Sequence, residues 1–245
     1  TLSNTPEQKY GIYQFMTNCY KSDCLNKSAY HRILQTFNPK HITTYPGSSA
    51  IALNLLKQND CNFCFYDIEA EAIKNIENYT AQIGVKERSQ CFIENSISGI
   101  YKRLNDFDEK AFIHFDPYDA FFEKSEGMSY LDLFFETAKK GIKAMLWYGF
   151  MTMNDKKSIY QLIKDKLNSF NKDKIFCVEV FLGSIQENTV LFNPGIIGSG
   201  IISCNLSVQS NIKANKLANE LKSIYKDSLV FEKFKGDIEI EKIDY

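Results

Sequence analysis

The sequence has few of the features that would place it at once. Its 245 residues contain five prolines and one tryptophan, and no apolar run approaches the roughly 18 residues of a membrane-spanning helix. Neither a span nor a signal peptide is therefore expected. No G-x-G-x-x-G follows a strand-like segment, which sets aside a nicotinamide-dependent oxidoreductase. The net charge is only −1, so a nucleic-acid partner would have to be met by local basic patches or by positive segments outside this sequence. The lysines at 139, 140, 143, 156, 157, 164 and 166 are concentrated on one stretch but look like solvated helix faces. Cys61 and Cys64 form a C-x-x-C pair, yet no second pair follows at zinc spacing, so they are read as buried strand cysteines. His31 and His41 stand apart from other ligand types, and no metal site is expected. An odd count of seven cysteines suits a reducing cytoplasm better than a disulfide scaffold.

What is present is enough apolar sequence, 44% of residues, for one large core. Residues 1–40 read as a helical lead-in or insert, with amphipathic helices over Pro6 to Cys19 and Leu25 to Phe37. A β-prone stretch, His41 to Tyr45, runs into the Pro46–Gly47–Ser48–Ser49 turn and a helix. Residues 41–245 then read as a single domain of alternating elements. Strands are predicted at Asn62–Tyr66, Gln90–Ile93, Ala111–Phe115 and Lys143–Trp147, with helices at Glu69–Ile83, Ser96–Leu104 and Ser129–Lys140. Such alternation implies a parallel sheet. Beyond it come helix Asp155–Phe170, strand Ile175–Phe181, apolar segments Thr189–Phe192 and Gly200–Leu206, and helix Ile212–Tyr225; the glycines between the last two strands suggest an antiparallel hairpin at the edge.

Polar residues close three of these strands, at the end where open α/β sheets bind ligands. Asp67 follows Tyr66 about 20 residues after Gly47, a position from which a carboxylate can accept both hydroxyls of a ribose; a helix cap explains it as well. Asn95 and Ser96 can meet an adenine edge or cap the next helix. The third strand ends in Asp116–Pro117–Tyr118, a carboxylate, a rigid turn and an aromatic ring. A carboxylate there can accept hydrogen bonds from an amine while a ring stacks on an extruded base; a plain Asp-Pro turn is the competing account. His114 is expected to point into the core.

Several segments in order resemble the bacterial large-subunit ribosomal RNA adenine-N6 methyltransferase family. They are Tyr45–Pro46–Gly47–Ser48 with Ile51–Ala52, Tyr66–Asp67, Asn95–Ser96, Asp116–Pro117–Tyr118, Leu146–Trp147–Tyr148 and Gly198 to Asn205. The resemblance implies an α/β, Rossmann-like class I methyltransferase sheet, mostly parallel with an antiparallel edge. It implies S-adenosylmethionine as cofactor, lined by Ser48, Asp67, Asn95 and Ser96, with Asp116 and the Pro117 carbonyl holding the adenine amine and Tyr118 stacking. The implied partner is nucleic acid, with ribosomal RNA favoured and DNA open. The family carries Asp-Pro-Pro-Tyr where this chain has a single proline, and three-Cys-motif partner proteins have a related Asp-Pro-aromatic ending. In the family a strand and Gly-rich loop precede the helical insert, so the full polypeptide is expected to extend upstream of Thr1.

Overall fold

The computed structural model describes residues 9–122, 124–182, 196–225, 229–231, 234–235 and 238–243. Contacts divide the chain into two compact units, one of Lys27–Asn105 and one of the described parts of Asn4–Asn26 and Asp106–Tyr245.

The first unit begins with α3 (Ala29–Phe37), preceded in the chain by α1 (Gln14–Asn18) and α2 (Asp23–Asn26) of the other unit. The long helix expected over Leu25–Phe37 is therefore two helices. Ser28 adopts extended geometry and its hydroxyl accepts the His31 N–H, which starts a new helix where a continuous one was read. His41–Tyr45, expected as a strand or an extended arm, is an arm outside any described strand. The Asn38 carboxamide takes up that backbone instead, accepting from the N–H groups of Thr43 and Thr44 at 2.9 Å each and donating to the Thr44 carbonyl. Then come α4 (Ser48–Leu56), β1 (Phe63–Asp67), α5 (Ala70–Gln82), β2 (Ser89–Ile93) and α6 (Ser96–Arg103). β1 and β2 pair in parallel, with Phe63 opposite Ser89 and Asp67 opposite Ile93. A core of Leu53, Phe63 and Val85 fastens α4 to the pair. Cys64 lies exposed on β1 and Cys61 is half-buried before it, so the C-x-x-C is not the buried pair expected.

The second unit carries β3 (Phe112–Phe115), α7 (Tyr130–Lys139), β4 (Lys143–Phe150), α8 (Met153–Leu167), β5 (Ile175–Leu182), β6 (Gly198–Cys204), α9 (Val208–Tyr225) and the short strands β7 (Leu229–Phe231), β8 (Phe234–Lys235) and β9 (Ile238–Ile243). The sheet order is β3-β4-β6-β5-β9. β3 and β4 run in parallel; β6 lies antiparallel between β4 and β5, and β9 is antiparallel on β5. This is the expected Rossmann-like α/β class, a parallel side joined to an antiparallel one. α7 and α8 each open on a capping box, Ser129 with Asp132 and Thr152 with Asp155. Burial alone would raise the Asp132 carboxyl, but the Lys166 ammonium and the Ser129 hydroxyl and backbone hold it below its usual range. α1 and α2 belong here with α9, where Ser22 Oγ donates to Glu220 and Tyr225 Oη to the Gly11 carbonyl. The Thr189–Phe192 segment lies outside the described residues.

Gly198 and Gly200 do not form a hairpin loop. They are strand residues of β6, and Gly200 stands in register between Tyr148 of β4 and Glu179 of β5. A Cβ on Gly200 would collide with the Tyr148 ring, and one on Gly198 with Phe150 and Phe181. Without side chains, these two positions let aromatic groups of β4 lie across the middle strand. Tyr148 uses the space to donate from its hydroxyl to Glu179 Oε1 at 2.7 Å. Lys156 of α8 sits 2.8 Å from Glu179 Oε2, an ion pair held by charge more than by hydrogen-bond geometry, and 2.7 Å from Glu241 of β9. Glu179 is 1% exposed, so its charge is buried and compensated from two sides.

Candidate functional site

In the first unit the carboxyl ends of β1 and β2 and the start of α4 hold four of the seven candidate residues. Ser48 is the first residue of α4, half-buried behind a Gly47 that supplies no side-chain cap. Asp67 ends β1. Its Oδ1 accepts the Glu69 N–H at 2.9 Å, but Glu69 rather than Asp67 is the N-cap of α5. Among the described residues Oδ2 has no partner, so the local turn consumes half of the carboxylate. Asn95 is the N-cap of α6, its Oδ1 accepting from Ile97 and Ser98 at 3.0 and 3.4 Å. Its capping role is thus real, and only the amide end of the side chain is left for a ligand. Ser96 follows as the first residue of α6.

A cluster beside these residues escaped the sequence reading. Tyr66 and Phe92 stack with centroids 4.8 Å apart, and the Arg103 guanidinium lies 4.2 Å from the Phe92 centroid and 5.6 Å from that of Tyr66. Arg103 also bonds Glu94 at 2.6 Å. Gly99 lies beneath, where a Cβ would fall 2.8 Å from the Tyr66 ring. Burial pushes the Tyr66 hydroxyl up against the opposing pull of Arg103. The platform includes Tyr66, the residue before Asp67, and Glu94, the residue before Asn95. Its only sequence signal was the spacing of Arg103 along α6 from Glu94.

In the second unit the remaining candidates follow β3. Along the strand Ile113 and Phe115 point inward, so His114 and Asp116 point outward and are exposed; His114 is not the core residue expected, because the two-residue period of a strand runs in the opposite phase. Although the residue as a whole is exposed, desolvation of its imidazole lowers the His114 pKa, and the Asp116 charge pulls the other way. Pro117 is buried, whereas Tyr118 is 97% exposed. Asp119 folds the loop: its Oδ1 accepts from the N–H groups of Phe121 and Phe122, both at 2.9 Å. Phe121 packs edge-on against Tyr148 at 5.5 Å. The Ala120 carbonyl accepts the Leu131 N–H at 3.0 Å.

Two other segments of the family likeness are structural. Leu146 and Tyr148 are fully buried in β4, and the Asn205 carboxamide donates to the carbonyls of Ala138 and Ile142 at 3.0 and 2.9 Å. Among the described residues no cluster of three or more His, Cys, Asp or Glu side chains is arranged to hold a metal, and no helix is long and apolar enough to cross a membrane.

No family model and no curated protein matches the chain. Among solved structures it is similar to protein LPL1258 from Legionella pneumophila, of family DUF519, with a TM-score of 0.67 and 18% identity over 98% of this chain and 82% of that one. That likeness is one of fold. Precorrin 8w decarboxylase from Methanobacterium thermoautotrophicum and a proposed rRNA methylase from Clostridium thermocellum overlap 66% and 67% of this chain, covering 93% and 100% of their own, at 10% identity and a TM-score of 0.36 each. Such slight overlaps do not bear on function.

Proposed function

We propose that this chain is an S-adenosylmethionine-dependent methyltransferase that modifies the N6 amine of adenine in nucleic acid, with ribosomal RNA as the favoured substrate, DNA as the other candidate and the cytoplasm as its setting. The observation that carries the reading is the end of β3, where Asp116 and Tyr118 both stand in solvent on a loop held from below. A carboxylate so placed accepts a hydrogen bond from an exocyclic amine and keeps its lone pair directed away from the ring plane. The Pro117 carbonyl is the second acceptor in this reading, and Tyr118 the stacking ring. As the amine takes on a fourth bond it becomes acidic, and in this reading Asp116 receives the proton.

The half-used Asp67 carboxylate at a strand end fits a ribose diol, and the free end of the Asn95 side chain fits an adenine edge. In this reading Ser48, Asp67, Asn95 and Ser96 hold the cofactor. When bound, S-adenosylmethionine supplies an electrophilic methyl group. Calorimetric titration with S-adenosylmethionine is expected to show binding that Asp67→Ala weakens at least about tenfold, as loss of two hydrogen bonds implies. Radiolabelled methyl transfer to total RNA is expected to fall about 100-fold or more in Asp116→Ala. Cofactor binding with no transfer to RNA or DNA by the wild type would overturn the enzymatic reading.

The single proline of Asp116–Pro117–Tyr118, together with the local bonds that Asp67 and Asn95 already make, favours one other reading: a non-catalytic nucleic-acid-binding or assembly protein on the same scaffold. Equal and negligible transfer by wild type and Asp116→Ala, with RNA still bound, would select it.

A further inference from the structure

The loop after β3 alternates between residues it buries and residues it presents. Pro117, Ala120 and Phe121 are buried; Asp116, Tyr118 and Phe122 are exposed, Phe122 by 70%. The two neighbouring phenylalanines are thus treated oppositely. Phe121 anchors the loop against Tyr148, and the Asp119 carboxylate caps the N–H groups of both, which leaves the second ring outside on a defined backbone. A phenyl group with most of its surface in water returns little of the stabilisation that burial provides. The Phe122 ring meets that of Phe121 edge-on at 6.5 Å, but with 70% of the residue in water this contact accounts for little of an aromatic at position 122. A loop fastened at four points, with a carboxylate and two rings facing solvent within seven residues, suits a ligand that has both a flat apolar face and hydrogen-bond donors.

We infer that Phe122 is a base-stacking residue and that this loop selects unpaired nucleotides, so that the substrate is a single-stranded or looped stretch of nucleic acid and not a continuous duplex. The inference rests on the methyltransferase reading but extends it to the form of the substrate. Base faces are covered by their neighbours in a duplex and become available to aromatic side chains only when the strand is open. With Tyr118 serving the base whose amine Asp116 holds, Phe122 offers a second ring to the same open stretch. A duplex would have to be unstacked twice to satisfy both.

The test uses the full chain and two RNA probes of the same sequence, one single-stranded and one closed into a hairpin stem, each with 2-aminopurine in place of one adenine. Fluorescence titration is expected to show the single-stranded probe bound at least about tenfold more tightly than the stem, and Phe122→Ala to weaken single-strand binding at least about fivefold. Phe122→Tyr is expected to restore it, and Phe122→Trp to lose indole fluorescence as RNA is added. Thermal unfolding of Phe122→Ala should stay within about 1 kcal/mol of wild type, since the ring is mostly exposed and only its edge contact with Phe121 is lost. Equal binding of both probes, or a Phe122→Ala variant that binds as wild type does, would overturn the inference while wild-type methyl transfer left the methyltransferase reading intact. Failure of the wild type to bind any nucleic acid would overturn both.

Discussion

The interior of the second unit and the loop that follows β3 use polar and aromatic residues in opposite ways. Inside, the central polar groups are spent on one another: the Tyr148 hydroxyl on Glu179, Glu179 on Tyr148 and Lys156, Lys156 on two carboxylates. On the loop, the work of holding the backbone falls to Asp119, Pro117 and Phe121, and Asp116 and Tyr118 are left over. The strand ends of the first unit lie between these extremes, with one oxygen of Asp67 and the carbonyl of Asn95 committed to the nearest helix or turn. A polar side chain in this fold is therefore a candidate for chemistry to the extent that the fold has not already used it. By that measure the well-partnered Glu179 is structural and Asp116 is not.

The sharpest way to break the comparison is to treat Glu179 as if it were catalytic. Glu179→Ala strands the Lys156 ammonium in a mostly buried site with only the half-exposed Glu241 to face it, and removes the acceptor of Tyr148. Removing one partner of a buried pair costs about 3 kcal/mol. Denaturant unfolding is expected to show that loss, and Glu179→Leu combined with Lys156→Leu to recover most of it, because two apolar groups of similar length leave no buried charge. A Glu179→Ala variant of wild-type stability would mean that the cluster is not what holds β4, β5 and α8 together.

Much of this fold was legible in the sequence because apolar periodicity reports directly on which face of an element is buried. β1, β2 and β3 and helices α5 to α8 fall within a few residues of their expected places. The differences have separate causes: Ser28 splits a helix by capping the turn that follows it, whereas Gly198 and Gly200 prolong a strand because aromatic rings of the neighbouring strands cross them. β4 runs three residues past Trp147 because β6 continues to pair with it. β9 is visible in the alternation of Ile238–Glu239–Ile240–Glu241, but its partner β5 lies far back in the chain and no local pattern names it. The candidate site divides the same way. That Asp67, Asn95 and Asp116 end strands was readable, whereas the phase of His114, the Arg103 platform and the outward turn of Phe122 depend on packing.

Asn95 gives a smaller and more discriminating test. Its cap on α6 predicts that Asn95→Ala lowers stability by about 1 kcal/mol, and that Asn95→Asp, which retains the acceptor for Ile97 and Ser98, does not. The two variants separate the jobs this residue holds. Only the amide end differs between Asn and Asp, so a loss of S-adenosylmethionine affinity in Asn95→Asp at full stability would place the cofactor at the Asn95 amide. Unchanged affinity in both would leave Asn95 as a cap alone.

The smallest effect on stability is expected where the largest effect on activity is proposed. Asp116 is exposed and accepts no hydrogen bond from the described residues, so Asp116→Asn removes a charge without removing a contact and should shift unfolding by less than about 0.5 kcal/mol. The change does alter His114, whose imidazole feels the Asp116 carboxylate as the force opposing its lowered pKa. With that charge gone the pKa should fall further. NMR titration of the His114 ring would show the shift as a midpoint displaced to lower pH. A His114 midpoint that stays in place would mean that the Asp116 carboxylate lies too far from the imidazole to act on it.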